Sequence, residues 1–445
     1  MKSFYLALGL ALAPAITAAT ATLPVAAQDQ VQPLGEQERA DVVTAVSSQL
    51  RANYVFPETA DKMAAAIGEK LNSGSYAGFA DPMRFAEQLT EDLRAISHDG
   101  HLRVMFNPQQ VADMRRMADN PQRGLPQGAL ERMRRDNYGF REVKILDGNV
   151  AYINLTGFIG TEFAEETAVA AMNYVSNADA LIFDLRQNGG GEPSMIQLLI
   201  SYLYDEKPVH LNTFYWRPTD THTETWTHRK VKGKRRPDMD VYVLTSDYTF
   251  SAAEEFSYDL KNLRRATLVG ETTGGGAHPG GPQVATDRFT VWVPNGRAIN
   301  PITGTNWEGT GVEPHVKTAA TDALDVAHAA ALEKLAGAHE GPDGAYYRWH
   351  YLATKARTNP VSLSADAQAA LVGNFGVRSI KLQDGQLMYQ RRGRPMLPIS
   401  PLTEDTFAVE GIPYFRLQFI REGGEVTALR GIYDNGTEDL NAKDS

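Results

Sequence analysis

The chain has 445 residues, which exceeds the size of one ordinary hydrophobic core, so two or three domains are expected. Its composition, 42% hydrophobic and 22% charged, is ordinary for a folded, soluble protein, and its formal net charge of −10 gives no support to nucleic-acid binding. The chain contains no cysteine, which excludes disulfides, a thiol nucleophile and a cysteine metal site.

Residues 1–27 have the pattern of a signal peptide. Lys2 precedes an apolar stretch, and a run of small residues ends just before Gln28. We expect cleavage after Ala27, which predicts a periplasmic or secreted protein. A retained membrane anchor is the alternative, although Pro14 and the small residues favour cleavage. No later segment is long and apolar enough to span a bilayer, and the sequence gives no oligomeric state.

Residues 33–106 are predicted to form an N-terminal helical domain that ends in a strand. Apolar residues recur at helical spacing in three segments. They are Val42, Val46 and Leu50; Met63, Ile67 and Leu71; and Phe85, Leu89, Leu93 and Ile96. Breakers separate the segments, so a small antiparallel bundle is expected. Residues 107–142, polar and locally basic, are predicted to be an exposed helical connector.

From residue 143 to residue 336, strands alternate with helices, which indicates an α/β layer domain. The predicted strands are 150–158, 180–185, 241–245 and 266–270, and the predicted helices are 162–175, 193–204, 251–263 and 322–335. A threonine-rich segment at 219–234 is predicted to be a polar excursion from this pattern.

Residues 337–345 are rich in glycine and are predicted to be a linker to a mostly β module at 346–445. Phe415, Leu417 and Phe419 alternate with period two, as in a half-buried strand. Turn signals occur within the same module, at Asp384-Gly385 and Asn435-Gly436 among others.

Ser251 is the candidate nucleophile, because it stands where a buried strand gives way to a helix. A hydroxyl at such a junction lies at the carboxyl edge of the sheet, where the helix N-terminus offers free N–H groups to a developing oxyanion. The same residue also starts a capping box with Glu254, in which the serine serves only its own helix. This segment alone leaves the two interpretations equally supported.

Two further kinds of residue favour the nucleophile interpretation. Three glycines at 189–191 follow another buried strand, and backbone N–H groups there could face a substrate carbonyl, although a plain turn is an alternative. A serine hydroxyl also needs a base, for which His98, His101 and His278 are candidates.

Five segments in order resemble the tail-specific (C-terminal-processing) serine peptidases, and more narrowly the branch related to interphotoreceptor retinoid-binding protein and the tricorn protease core. The segments are Asp99-Gly100-His101, 184–191, 249–254, 270–276 and 309–314. The resemblance covers roughly residues 35 to 335. It implies a crotonase-like ββα catalytic core within the α/β fold, a peptide or unfolded-protein substrate, and no metal or organic cofactor.

The resemblance also implies roles for individual residues. Ser251 falls at the family's nucleophile, and the branch takes its base from the position of His101 and orients it through the position of Glu308. The lysine base of the processing peptidases is absent, because residues 273–276 are Thr-Gly-Gly-Gly. The oxyanion donors would be the N–H groups of Ala252 and of Gly190 or its neighbour Gly189. His278 remains an alternative base.

A ligand carrier and an esterase or lipase are the two alternatives to a peptidase. Relatives on this fold imply a non-catalytic carrier of hydrophobic ligands such as retinoids or fatty acids, but retention of Ser251, His101 and Glu308 together favours the enzyme. An esterase or lipase is disfavoured, because Phe250 and Ala252 flank the serine instead of the glycines of the Gly-x-Ser-x-Gly elbow.

Overall fold

The computed structural model describes residues 32–120 and 127–444, so the predicted signal peptide lies outside the described residues. Over those two ranges, no helix is both long and apolar enough to cross a membrane.

Three helices form the N-terminal region, as the apolar spacing predicted. They are α1 (Glu36–Asn53), α2 (Pro57–Asn72) and α3 (Pro82–Ser97). Proline occupies the first turn of α2 and of α3, where its missing N–H removes no helical hydrogen bond. The Asp81 side chain caps α3 by accepting from two backbone N–H groups. His98, with φ of 54°, ends α3 and turns the chain towards His101.

A three-stranded antiparallel sheet joins this helical region to the core. In spatial order its strands are β1 (Arg103–Phe106), β10 (Phe289–Pro294) and β9 (Gly280–Val284). The apolar side chains of β10 are buried among those of the three helices. His101 and His278 each lie two residues before an outer strand of this sheet, at the same end.

The predicted connector contains two helices and one 3₁₀ turn. They are α4 (Pro108–Asp119), α5 (Gln127–Arg135) and Asn137–Gly139. In α4 the single buried residue is Val111. The described part of the connector therefore lies mostly on the surface.

A six-stranded sheet is the centre of the α/β core, which confirms the predicted fold class. In spatial order its strands are β12 (Val316–Lys317), β8 (Thr267–Gly270), β7 (Asp240–Thr245), β4 (Ala180–Asp184), β3 (Val150–Leu155) and β2 (Phe140–Leu146). All are parallel except β2, which runs antiparallel to β3. One face packs against α6 (Thr161–Tyr174), α7 (Pro193–Ser201) and α8 (Ala252–Asn262). The loops after β4, β7 and β8 share the carboxyl edge, where ligands bind in open α/β sheets.

The polar excursion predicted at 219–234 is in part regular structure. β5 (His210–Trp216), β6 (Thr221–Trp226) and β11 (Gly296–Ile299) form a second three-stranded antiparallel sheet. All but one of the side chains of β6 are exposed. A strand that buries almost nothing has no apolar alternation, and its β-branched threonines are the remaining signal.

A helical hairpin stands where the linker at 337–345 was predicted. α9 (Ala323–Ala338), on the other face of the central sheet, is followed by α10 (Gly341–Thr358). Gly341 adopts φ of 63° and Pro342 occupies the first turn of α10, so both residues serve the helical turn. Tyr347 of α10 is buried against α9, which anchors the second helix to the core.

The C-terminal module is an eight-stranded antiparallel sheet preceded by α11 (Ala365–Leu371), which confirms the mostly β prediction. In order the strands are β13 (Gly373–Phe375), β14 (Arg378–Gln383), β15 (Gln386–Arg391), β16 (Met396–Pro401), β17 (Thr406–Val409), β18 (Ile412–Glu422), β19 (Glu425–Tyr433) and β20 (Glu438–Ala442). The predicted Asp-Gly and Asn-Gly turns join β14 to β15 and β19 to β20.

Candidate active site

Ser251 lies between β7 and α8, at the start of the helix, with φ of 56° and ψ of −121°. A positive φ is unfavourable for a residue with a side chain, and such strain clusters at functional sites. Gly190 supports the turn from the neighbouring loop, because a Cβ on Gly190 would lie 2.7 Å from Cβ of Ser251. The backbone therefore holds the serine in a strained, closely packed elbow.

The His101 ring reaches Ser251 from the end of the helical region. Its Nε2 lies 2.9 Å from Oγ of Ser251, and the ring packs against Phe250 with 4.6 Å between ring centroids. Gly276 makes room for the ring, since a Cβ there would lie 2.8 Å from Cε1 of His101. Burial lowers the pKa of His101 to about 4, although the charge of Asp99 raises it. The imidazole is therefore neutral at neutral pH.

Glu308 lies behind the histidine without bonding to it. Its Oε2 accepts from the N–H of Ala277 at 2.5 Å, while its Oε1 and the Nδ1 of His101 are both buried without a hydrogen-bond partner. Asp99, His101 and Glu308 each have one possible metal-ligand atom within 4.8 Å of the other two. The described residues therefore include one group spaced closely enough to hold a metal ion. Burial and the charge of Asp99 raise the pKa of Glu308 to about 7.

His278, the alternative base, contacts two carboxylates. Its Nδ1 lies 2.8 Å from Oδ2 of Asp99 and 3.4 Å from Oε2 of Glu308. The hydroxyl of Tyr54 donates to the same Asp99 oxygen at 3.2 Å. His278 thus belongs to a buried network behind His101, whereas His101 alone of the two makes the bond to Ser251.

Of the three oxyanion donors that the sequence suggested, one is already engaged in a hydrogen bond within the glycine loop. The N–H of Gly190 donates to Oδ1 of its neighbour Asn188 at 2.9 Å, so it is engaged inside the loop. The Asn188 amide in turn donates to the carbonyl of Leu155 at 2.9 Å, which fixes the loop to β3. Gly189 and Ala252 line the cavity beside Ser251 and are the remaining candidate oxyanion donors.

Glu254 is a residue whose importance the sequence reasoning missed. It is fully buried, and its Oε1 accepts from the Thr273 hydroxyl at 2.5 Å and from the N–H of Gly275 at 2.6 Å. Its Oε2 accepts from the N–H of Gly276 and from the N–H of Ser251, each at 2.8 Å. Glu254 therefore ties the serine elbow to the glycine segment beside His101. The Ser-x-x-Glu spacing was its signal, but that spacing suggested only a helix cap.

The cavity above Ser251 has a volume of about 660 Å³ and opens between the helical region and the core. Aromatic side chains form much of its wall: Phe214, Trp216, Phe250, Trp292 and Trp307. Its charged lining residues are Arg103, Glu192 and Glu255. A cleft of this size with a serine hydroxyl in its wall suits a small ligand or a short peptide segment.

Comparison with known proteins gives matches over both regions that form the cavity. The model of peptidase family S41 matches residues 149–318, and that of the N-terminal domain of Peptidase_S41 in eukaryotic IRBP matches residues 36–136. The tail-specific protease of Haemophilus influenzae is 29% identical over 134 residues, which are 30% of this chain and span 18% of that protein.

Two solved structures are similar at low identity. The photosystem II D1 C-terminal processing protease is 13% identical, with 64% of this chain and 94% of that chain covered and a TM-score of 0.40. The tricorn protease is 14% identical, with 65% and 35% covered and a TM-score of 0.39. On the family matches, which cover the helical region and the α/β core in turn, this chain belongs to peptidase family S41.

Proposed function

We propose that this protein is a serine peptidase in which Ser251 is the nucleophile and His101 the general base. The observation that carries the proposal is the 2.9 Å contact between Nε2 of His101 and Oγ of Ser251, made at a strained elbow in the wall of the cavity. A nucleophile within hydrogen-bond reach of a neutral imidazole is the arrangement that acyl transfer requires.

In the proposed mechanism, His101 takes the proton of the Ser251 hydroxyl as Oγ attacks the carbonyl carbon of the substrate. The N–H groups of Gly189 and Ala252 donate to the resulting oxyanion, aided by the positive end of the α8 dipole. The imidazolium then gives its proton to the leaving amine, and the C–N bond breaks to leave an acyl-enzyme. Water, deprotonated by His101, hydrolyses the ester and restores the serine.

Glu308 is the proposed orienting carboxylate. The Nδ1 of His101 and the Oε1 of Glu308 both lack partners, so they provide the donor and the acceptor that an orienting bond needs. Formation of that bond as substrate closes the site would fix the tautomer and stabilise the imidazolium. His278, which contacts Asp99, lies 3.4 Å from Oε2 of Glu308.

The raised pKa of Glu308 predicts the pH dependence of this mechanism. Only the ionised carboxylate stabilises the imidazolium, and with a pKa of about 7 its ionised fraction rises with pH. We expect kcat/KM to rise roughly tenfold between pH 6 and pH 8. In Glu308→Gln the rate should be lower and the limb near pH 7 should disappear, because His101, with a pKa of about 4, is already neutral there. If kcat/KM of the variant still rose with pH near pH 7, Glu308 would be excluded from this role.

The proposal is tested by peptide-library cleavage combined with active-site labelling. The protein should hydrolyse members of a mixed peptide library, and a fluorophosphonate should label Ser251 alone, as peptide mass spectrometry would show. Library hydrolysis should stop in proportion to the fraction of Ser251 labelled. No hydrolysis together with no labelling would contradict the proposal and favour the ligand carrier.

A further inference from the structure

Glu255 is a carboxylate in the wall of the cavity that the proposed mechanism does not use. It lies in the first turn of α8, four residues after Ser251, so the two side chains share one face of the helix. Only 3% of Glu255 is exposed. A helical side chain points towards the N-terminus of its helix, which directs this carboxyl group towards the nucleophile.

Polar atoms at this place are buried and unpaired. The Oε1 of Glu255 has no hydrogen-bond partner, and burial raises the pKa of this carboxyl group although the side chain of Asn212, on β5, lowers it. Buried polar groups are nearly always paired in folded proteins, because an unpaired one is destabilising. The unpaired oxygen of Glu255, in the wall of the cavity that also contains Ser251, indicates that its partner is a group of the substrate.

The surroundings of Glu255 favour a positively charged partner. Asp259, one turn further along α8, is fully buried as well, and burial together with the charge of Glu255 raises its pKa. Burial raises the pKa of Glu255 to about 8. An approaching cation would lower this pKa by stabilising the carboxylate, so that the proton is released to solvent. The cavity also presents the rings of Trp216 and Trp307, and aromatic faces attract cations.

We propose that Glu255 forms a subsite that binds a cationic group of the substrate next to the scissile bond. The group is the ammonium or guanidinium of a lysine or arginine side chain, or the free α-amino group of a short peptide. This inference rests on the proposed peptidase function, since it names the substrate class of the same cavity. Glu255 then acts as a specificity determinant rather than as a participant in proton transfer.

The test compares peptide pools that differ by one positive charge. The pools contain lysine, norleucine or Nε-acetyl-lysine at one position, and each is prepared with a free and with an acetylated N-terminus. We expect wild-type protein to hydrolyse the cationic pool with a kcat/KM roughly ten to one hundred times that of its neutral counterpart. If the bound cation is on a side chain, the lysine pool should be hydrolysed fastest. If it is the α-amino group, each pool with a free N-terminus should be hydrolysed faster than its acetylated counterpart.

Glu255→Gln keeps the shape of the side chain and removes its charge, so the charge preference should fall to within about twofold of unity. The matched control is Glu192→Gln, at an exposed carboxylate of the same cavity wall, which should keep the preference. The inference is wrong if the wild type shows no charge preference, if Glu255→Gln retains it, or if Glu192→Gln removes it.

Binding measurements separate this inference from the catalytic proposal. Titration of the pools into Ser251→Ala, followed by tryptophan fluorescence, should show tighter binding of the cationic pool. The double variant Ser251→Ala/Glu255→Gln should lose that difference. Charge-selective binding without any hydrolysis or Ser251 labelling would refute the peptidase and keep the subsite. Hydrolysis and labelling without charge selectivity would refute the subsite alone.

Discussion

Replacement of Ser251 by alanine should lower kcat for peptide hydrolysis by at least ~10⁴-fold, because the variant can form no acyl-enzyme. The fold should be retained, since alanine removes a single oxygen and keeps the backbone N–H that donates to Glu254 at 2.8 Å. Steady-state kinetics on a peptide identified from the library would measure the loss. Far-ultraviolet circular dichroism and thermal unfolding would check the fold.

Ser257→Ala is the matched control for this loss. Ser257 lies on the same helix, is buried, and donates to the carbonyl of Ala253 at 2.7 Å, away from the reacting groups. Its kcat should remain within a few-fold of the wild-type value, with a small decrease in thermal stability. Turnover by Ser251→Ala at the level of this control would remove Ser251 from the mechanism.

Replacement of His101 by alanine should lower kcat/KM by ~10³- to 10⁴-fold, the range expected when a general base is lost. His278→Asn should lower it by no more than roughly tenfold, because His278 contacts Asp99 and Glu308 rather than Ser251. The rate of fluorophosphonate labelling should follow the same order, since it reports activation of the serine independently of the leaving amine.

The paired histidine variants discriminate between the two bases that the sequence left open. A larger loss in His278→Asn than in His101→Ala would reverse the assignment. Equal and small losses in both would show that neither imidazole takes the serine proton. Retained circular dichroism is required of both variants, because each ring packs against an aromatic neighbour, Phe250 for His101 and Phe56 for His278.

Local patterns predicted most of the fold because the forces that specify helices and strands act over short stretches of chain. The apolar runs that became β4 and β7 are buried on both faces, and the helical spacing that became α3 faces a single core. The hairpin of β5 and β6 was missed because an exposed strand has no apolar alternation. The prediction of a linker at 337–345 was wrong because Gly341 and Pro342 begin a helix.

Sequence patterns alone indicate that a serine stands between a buried strand and a helix, that glycine loops accompany it, and that no lysine follows in the next loop. Which histidine approaches Ser251 follows from the packing of the folded chain, since 150 residues separate Ser251 from His101. That contact depends on the pairing of β1 with β10, which joins the helical region to the core.

The roles of Gly190, Glu254 and Glu255 were also beyond the sequence. A sequence shows that a glycine has an N–H, but not that Asn188 already accepts from it. It shows two adjacent glutamates, but not that one is saturated with four donors while the other faces the cavity with an unpaired oxygen. Hydrogen-bond satisfaction depends on where side chains from distant segments meet, and that is fixed by packing of the whole chain.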